Sequence, residues 1–431
     1  MFVIKGDNNP MEILNRNESL SPHSNLLVSC PSDADSVGGL FYVDLEKESS
    51  MKIFEGDCRG VDRYKEFIYM ITQSHGVVVL NRQLEVVNTY SMDQQAFHGL
   101  RVINDHTALI VETSLDSIGI YRLDDFERIG EIKISDNTGD KHHINDICIA
   151  GSRVYISMFS HSGLWRADNF AFDGVILEYD LTSKTVIRTV KDSLRFPHSV
   201  LDIEGRQFYC GSLDLNLSDT DKTVARFGGF TRGLAYDGRY FFIGQSSMRH
   251  LEEVLKYNLN VSMDVGIHIF DSQTHTNRFF PLPARQVYEI VLIDDIEMPL
   301  GNTADMSDPN SIRNFTDAQQ WHQFEGGHRW MAQKTAGLIL FADPLASTLE
   351  ITAASYCPKP LVCKVYLNGL HVGSMNFSTT GDNTFLFPVQ KVNDGRNEVT
   401  LELDTLWSPS DISVTVDGRK LGIAVREVGL V

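Results

Sequence analysis

The sequence predicts an all-β protein, a six-bladed β-propeller followed by a small β-sandwich of the jelly-roll kind. Three observations carry this expectation. Short strands broken by Gly, Asn and Asp run along the whole chain, and helical periodicity is nearly absent. In the first two thirds one pattern recurs, with starts at 59, 98, 145, 198 and 232, so 34 to 53 residues apart, close to a four-strand propeller unit. After a polar, turn-rich stretch, about 110 residues read again as seven or so short strands.

Each unit opens with a polar-led strand, turns, and continues through an aromatic or β-branched strand to a Gly-led strand. A weaker unit comes first, at 26–30 and 39–43. The full pattern then runs Arg59-Gly60-Val61, 67–71, 76–80; His98-Gly99-Leu100, 107–111, 119–121; and Asn145-Asp146-Ile147, 153–156, 174–179. It continues with His198-Ser199-Val200 and 207–209, then Arg232-Gly233-Leu234, 240–243 and 266–270. The strand at 287–293 is read as returning to complete the first blade, which removes an open edge. The expected division is an N-terminal arm at 1–20, the propeller at 21–298, a linker at 299–320 and the sandwich at 321–431.

The chain has 431 residues, with 38 Lys+Arg against 57 Asp+Glu, a formal net charge of −19. Hydrophobic residues at 42% and charged residues at 22% exclude a disordered chain. The acidity, with no cluster of Lys and Arg, argues against a nucleic-acid or anionic-membrane partner. No apolar run is long enough to span a bilayer, and the N-terminus lacks the basic start and apolar stretch of a secretory signal. The six cysteines are scattered without a C-x-x-C pair, which fits a reduced, cytoplasmic protein.

In a propeller the start of each first strand and the end of each second strand emerge on one face. That geometry brings Arg59, His98, Asn145, His198, Arg232 and Glu289 together from the starts, and Gln73, Glu112, Ser157, Ser212 and Gln245 from the ends. His142 and His143 lie just before a start; neighbours on a strand point to opposite faces, so at most one enters the channel. Two chemistries compete. In one, His98, His143 and His198 with Glu112 or Glu289 hold a divalent metal that polarises a substrate carbonyl or carboxylate. In the other there is no metal: His143 or His198, with Glu289, supplies acid–base catalysis, and Arg59 and Arg232 clamp an anion. His98, Asn145 and Gln245 complete the expected substrate contacts. A channel lined by polar groups that water satisfies is the third reading. The tract 214–221 lacks the Gly and terminal Glu of a calcium loop and reads as solvated. Trp321, Trp330 and Trp407 are either sugar-stacking surfaces or core residues.

The pieces His143-Ile144-Asn145, Pro197-His198-Ser199, Arg232-Gly233-Leu234-Ala235 and Tyr288-Glu289-Ile290 resemble a bacterial family of conserved hypothetical proteins. That family is a domain of unknown function related in outline to six-bladed sugar-lactonase-like propellers. The resemblance covers roughly 95–300 and implies that His143, Asn145, His198 and Arg232 belong to one site. Phe324-Glu325-Gly326, His328-Arg329-Trp330, Thr405-Leu406-Trp407-Ser408-Pro409 and the run from Asp417-Gly418-Arg419 resemble a β-sandwich module appended to glycosyltransferases of polysaccharide gene clusters. Asp417-Gly418-Arg419 departs from the Asp-Ser-Arg common there, and no transferase domain is present. These resemblances imply a carbohydrate-active or carbohydrate-binding protein of bacterial surface-polysaccharide metabolism. Its expected partners are a sugar or glycan and proteins of that biosynthesis. Lactone hydrolysis, lyase elimination and epimerisation all use the groups named. The rival from another class is a non-catalytic scaffold in the same metabolism.

Overall fold

The structure is a computed structural model and describes residues 24–431 apart from 34–37, 47, 94–95, 137–138, 167–171, 259, 297–300, 308–313, 343, 379, 394 and 412–416. The expected N-terminal arm lies outside the described residues. The chain divides into two compact units, one of residues 1–50 and 55–297, the other of 51–54 and 298–431.

The first unit is a β-propeller. Among the described residues it holds six four-stranded antiparallel sheets, each built from strands consecutive in the chain except the first. That first sheet places Glu289–Leu292 beside Asn25–Cys30, followed by Gly39–Asp44 and Ser49–Glu55. The remaining sheets begin with Cys58–Tyr64, Phe97–Asn104, Ile144–Ala150, Pro197–Ile203 and Phe230–Tyr236 as their innermost strands. These innermost strands pack against one another in chain order, and Glu289–Leu292 meets both Phe230–Tyr236 and Cys58–Tyr64, which closes the ring. Sequence and structure therefore agree that the strand near 290 completes the first sheet.

Sheet packing explains why the middle strands do not alternate in hydropathy. Phe67–Thr72 and Gly76–Leu80 are buried almost throughout, because a sheet covered on both faces needs apolar residues on both. Tyr69, Ile71, Val77, Phe97, Leu100 and Ile110 form one such layer between adjacent sheets. The outermost strands, such as Val86–Tyr90, are mostly solvent-exposed.

The innermost strands share a further device. In five sheets the register between first and second strand skips residues near the strand start: Arg59-Gly60, His98-Gly99, Asn145, Ser199-Val200 and Arg232-Gly233. A bulge frees a residue from the ladder and re-aims its side chain. The glycines make room for this: a Cβ on Gly60 would lie 2.4 Å from the Leu100 nitrogen, and one on Gly99 would lie 2.6 Å from Asp146 Oδ1.

In the second unit one sheet orders Thr303–Asp305, Ala424–Leu430, Thr348–Ser355 and Gly381–Pro388, with Arg329–Trp330 also on Ala424–Leu430. The other orders Thr335–Ala342, Gly395–Leu403, Leu361–Leu367 and Leu370–Phe377. Leu361–Leu367 alternates buried and exposed, the mark of a sheet with one face in a core. The stretch expected as a linker contributes to this unit, since Ala304, Met306 and Phe315 are buried in its core. Trp321, Trp330 and Trp407 are core residues as well, 6%, 7% and 9% exposed. None of the three offers a free face to a sugar.

Candidate functional site

A cavity of about 450 Å³ opens in the propeller at the face where first strands begin. Five of the residues singled out from the sequence line it: Arg59, His98, His143, His198 and Arg232. Four of these five stand on the starts of innermost strands, and Arg59, His98 and Arg232 are residues the bulges release.

The three histidines are each held by Nδ1. The His98 Nδ1 lies 2.7 Å from Thr113 Oγ1 and 2.8 Å from the Ala96 carbonyl. Thr113 donates its own hydroxyl hydrogen to the Ile144 carbonyl at 2.6 Å, so His98 is the donor and Nε2 its unprotonated nitrogen. That Nε2 accepts from Arg59 Nη1 at 3.2 Å. His198 repeats the scheme: Nδ1 is 2.6 Å from Ser212 Oγ, which donates to the Thr231 carbonyl at 2.6 Å. His143 differs, because its Nδ1 faces a carboxylate, Asp140 Oδ1, at 2.7 Å. Asp140 is itself bonded to Arg166, and its carbonyl accepts from Trp165 Nε1 at 2.7 Å. The His143 ring packs against both Phe159 and Trp165, with centroids 4.3 and 4.4 Å away, and those two rings also meet each other at 5.7 Å.

Burial, reinforced by neighbouring cations, holds His98 and His198 well below the usual imidazole range. Burial also lowers His143, but Asp140 opposes the shift.

The cationic side of the cavity consists of Arg59, Arg232, Arg249 and Arg166. Arg59 pairs with Asp57 at 3.3 Å. Arg232 is 4% exposed and lies 4.1 Å over the Tyr288 ring. Its Nε has no hydrogen-bond partner, and its longest reach is a 3.5 Å contact to Gln286 Oε1. Burial and the nearby arginines push Arg232 down to about 10, so it keeps its charge at neutral pH. Arg249 also touches Gln286 Oε1 at 3.5 Å. The aromatic lining is packed on itself: Phe159 stacks on Phe196 at 4.2 Å, and Arg166 covers Trp165 at 4.5 Å.

Glu112, Asn145, Gln245 and Glu289 do not line this cavity, nor do Gln73, His142, Ser157 and Ser212. Glu112 is fully buried, where Arg128, Tyr121 and Ser117 bind its carboxylate, so it is no ligand for the histidines. Among the described residues no three of His, Cys, Asp and Glu come together as a metal-ligand set. Asn145 braces the channel wall, donating to the Pro197 carbonyl at 2.9 Å and accepting from Ser157 at 2.9 Å. Gln245 holds His268 at 2.9 Å and the Asp264 carbonyl at 2.8 Å. Glu289 faces Arg101 at 3.1 Å in a buried cluster with Asp146, whose Oδ1 is 3.7 Å from the same guanidinium. Burial there pushes Glu289 up to about 8. His142 turns away from the cavity to Ser135 and the Ser160 carbonyl. The acidic tract at 214–221 is braced from within, Asp219 accepting from the Asp221 and Lys222 amides and from Arg206.

Sequence reasoning missed Asp140, Trp165, Arg166, Arg249 and Gln286. The connections that follow second strands and hold Trp165, Arg166 and Arg249 leave on the same face as strand starts, and that topology was the available signal for those three.

No family model matches the chain. It is 30% identical over 124 residues to the ribosome biogenesis protein NSA1 of Saccharomyces cerevisiae strain YJM789, and 31% identical over 122 residues to that of strain S288c. The chain spans about a quarter of the length of these curated relatives, 27% and 26%, and the matches cover the same shares of this chain. Among solved structures it is similar to a chain of the nidogen/laminin complex, with 11% identity, a TM-score of 0.46, and 62% of this chain and 98% of that one covered. A protein of unknown function from Bacteroides caccae gives 12% identity and a TM-score of 0.44 over 63% of this chain and 99% of that one.

Proposed function

We propose that the six sheets are the blades of a six-bladed propeller, that the second unit is a β-sandwich, and that the propeller mouth binds an anionic sugar. In this reading the protein serves bacterial surface-polysaccharide metabolism in the cytoplasm, and the ligand is a sugar acid or a sugar phosphate. The observation that supports it is Arg232. A guanidinium this deeply buried, with no carboxylate paired to it among the described residues, is costly unless an anion meets it. Arg249 and Arg59 reinforce the same preference, and they disfavour a metal cation. The unprotonated Nε2 atoms of His143 and His198 accept hydrogen bonds from ligand hydroxyls, and either is suited to acid–base work. Recognition is polar, because the aromatic faces of the cavity are already covered.

Calorimetric titration with D-glucuronate and with glucose tests this. Glucuronate is expected to bind at least about tenfold more tightly, and Arg232→Gln to weaken it by about 1.5–3 kcal/mol. Equal affinities for the two sugars, or an unaffected Arg232→Gln variant, would overturn the reading. The match to a yeast ribosome biogenesis protein gives a second reading, a part in ribosome biogenesis. That reading predicts no sugar-acid binding in either form.

A further inference from the structure

We infer that the ligand carries two negative charges, as a phosphate monoester does, and that His143 backed by Asp140 takes up a proton when it binds. The inference rests on the anion-binding reading and deepens it.

The charge arrangement carries the first half. Arg232 and Arg249 both line the cavity; no carboxylate forms an ion pair with Arg232 among the described residues, and Arg249 has only the more distant attraction of Asp33 on the same wall. Both converge instead on the neutral Gln286 amide oxygen at 3.5 Å. A monocarboxylate would match one of them and leave the other; a dianion matches both. Arg59 adds a third cation half-neutralised by Asp57, and Arg166 is taken by Asp140. Asp33 is the other acidic group on the cavity wall.

The second half follows from how the three imidazoles differ. A proton arriving at Nε2 makes an imidazolium, and what stands behind Nδ1 decides whether that charge is tolerated. Behind His98 and His198 stand neutral hydroxyls, each committed to a backbone carbonyl. His98 Nε2 also faces Arg59 at 3.2 Å. Behind His143 alone stands a carboxylate, 2.7 Å away. A bound dianion in front and Asp140 behind place two negative groups on one imidazole, which favours its charged form. The other groups facing His143 are the rings of Phe159, Trp165 and His98, the last 5.3 Å away, the neighbouring His198, and the Arg232 and Arg166 guanidiniums, which oppose its charged form until the dianion meets Arg232, Arg166 being already paired with Asp140. No covalent step is involved; the proton comes from solvent above pH 7 and from the monoanionic ester below pH 6, since the second ionisation of such esters lies near pH 6.

The test is calorimetry of glucose 6-phosphate binding at pH 7.5 in HEPES and in Tris, whose ionisation heats differ. The expected result is uptake of roughly 0.5 to 1 proton per site, with affinity about tenfold above that for D-glucuronate. His143 sits at φ +50°, a conformation asparagine tolerates well, so His143→Asn is the variant that keeps the backbone. It should still bind glucose 6-phosphate, more weakly, with proton uptake near zero. Asp140→Asn should reduce the uptake while preserving the hydrogen bond to His143, as befits a positioning residue. Binding of glucose 6-phosphate without proton uptake, or a preference for glucuronate, would overturn the inference and leave the anion site standing. Binding of neither anion would overturn both.

Discussion

His98 and His198 repeat one construction on two different blades. A histidine at the start of an inner strand gives its Nδ1 hydrogen to a hydroxyl at the end of the second strand, Thr113 or Ser212, and that hydroxyl is committed to the next carbonyl. The repeat in structure mirrors the repeat in sequence, and for this reason Arg59, His98, His198 and Arg232 were readable as one group. Glu112 shows where the same logic failed. It ends a second strand, as Gln73 and Gln245 nearly do, but the strand's alternation turns it inward toward Arg128 and Tyr121. Replacing it with Gln should cost about 1–3 kcal/mol of folding stability, measured by urea unfolding, while leaving glucuronate affinity within about twofold. A drop in affinity without a loss of stability would return Glu112 to the site. Asp140 was invisible because nothing periodic governs the segment before His143.

At the scale of elements, the bulges at the strand starts decide what the channel mouth displays. Gly60 lets its strand come close enough to the next inner strand for Arg59 to reach His98, and Gly99 does the same for that strand and the one carrying Asp146. A methyl group at position 60 would press on backbone at 2.4 Å, whereas one at position 99 would meet the Asp146 side chain at 2.6 Å and its Cα at 3.2 Å. Backbone yields less than a side chain, so Gly60→Ala should destabilise more than Gly99→Ala, both within about 1–3 kcal/mol. Gly60→Ala should also weaken anion binding by displacing Arg59 from His98. Thermal unfolding and glucuronate titration of the two variants check the order. The repeated Arg-Gly-Val, His-Gly-Leu and Arg-Gly-Leu triplets were visible in the sequence. Their bulged register was not, because a single skipped residue leaves no mark in hydropathy. The connections that bring Trp165, Arg166 and Arg249 to the cavity escaped for the related reason that loops carry function without pattern.

For the molecule as a whole, the buried cluster of Arg101, Asp146 and Glu289 sets a pH dependence. Asp146 and Glu289 are both raised by burial. A carboxyl whose folded value exceeds its unfolded value near 4.3 retains its proton better when folded, so stability falls as pH rises between the two values. His98 and His198 are lowered, and their contribution is lost as pH falls below their unfolded value near 6.5. The two effects oppose each other below pH 6.5, and Glu289 acts without them between pH 6.5 and about 8. Stability should therefore decline across that window by at most about 2 kcal/mol, and Glu289→Gln should flatten the decline. An unchanged slope in that variant would assign the titration elsewhere. The ring of sheets was legible because repeated strands need only count and spacing. The second unit's use of 303–306 was not, because four residues in a polar stretch look like a turn until Ala304 and Met306 are seen to be buried.

The first sheet joins residues 260 positions apart, with the Glu289 amide bonded to the Ser29 hydroxyl. On a ribosome adding about 5–20 residues per second, Asn25–Cys30 would wait roughly 13–50 s for its inner neighbour. By the end of that interval five sheets can be complete, while the first still presents a bare inner edge and the channel still lacks Tyr288, the ring beneath Arg232. The cavity at the channel mouth and the closed ring thus come into being in the same event, and a nascent chain that has not closed has no complete cavity to fill.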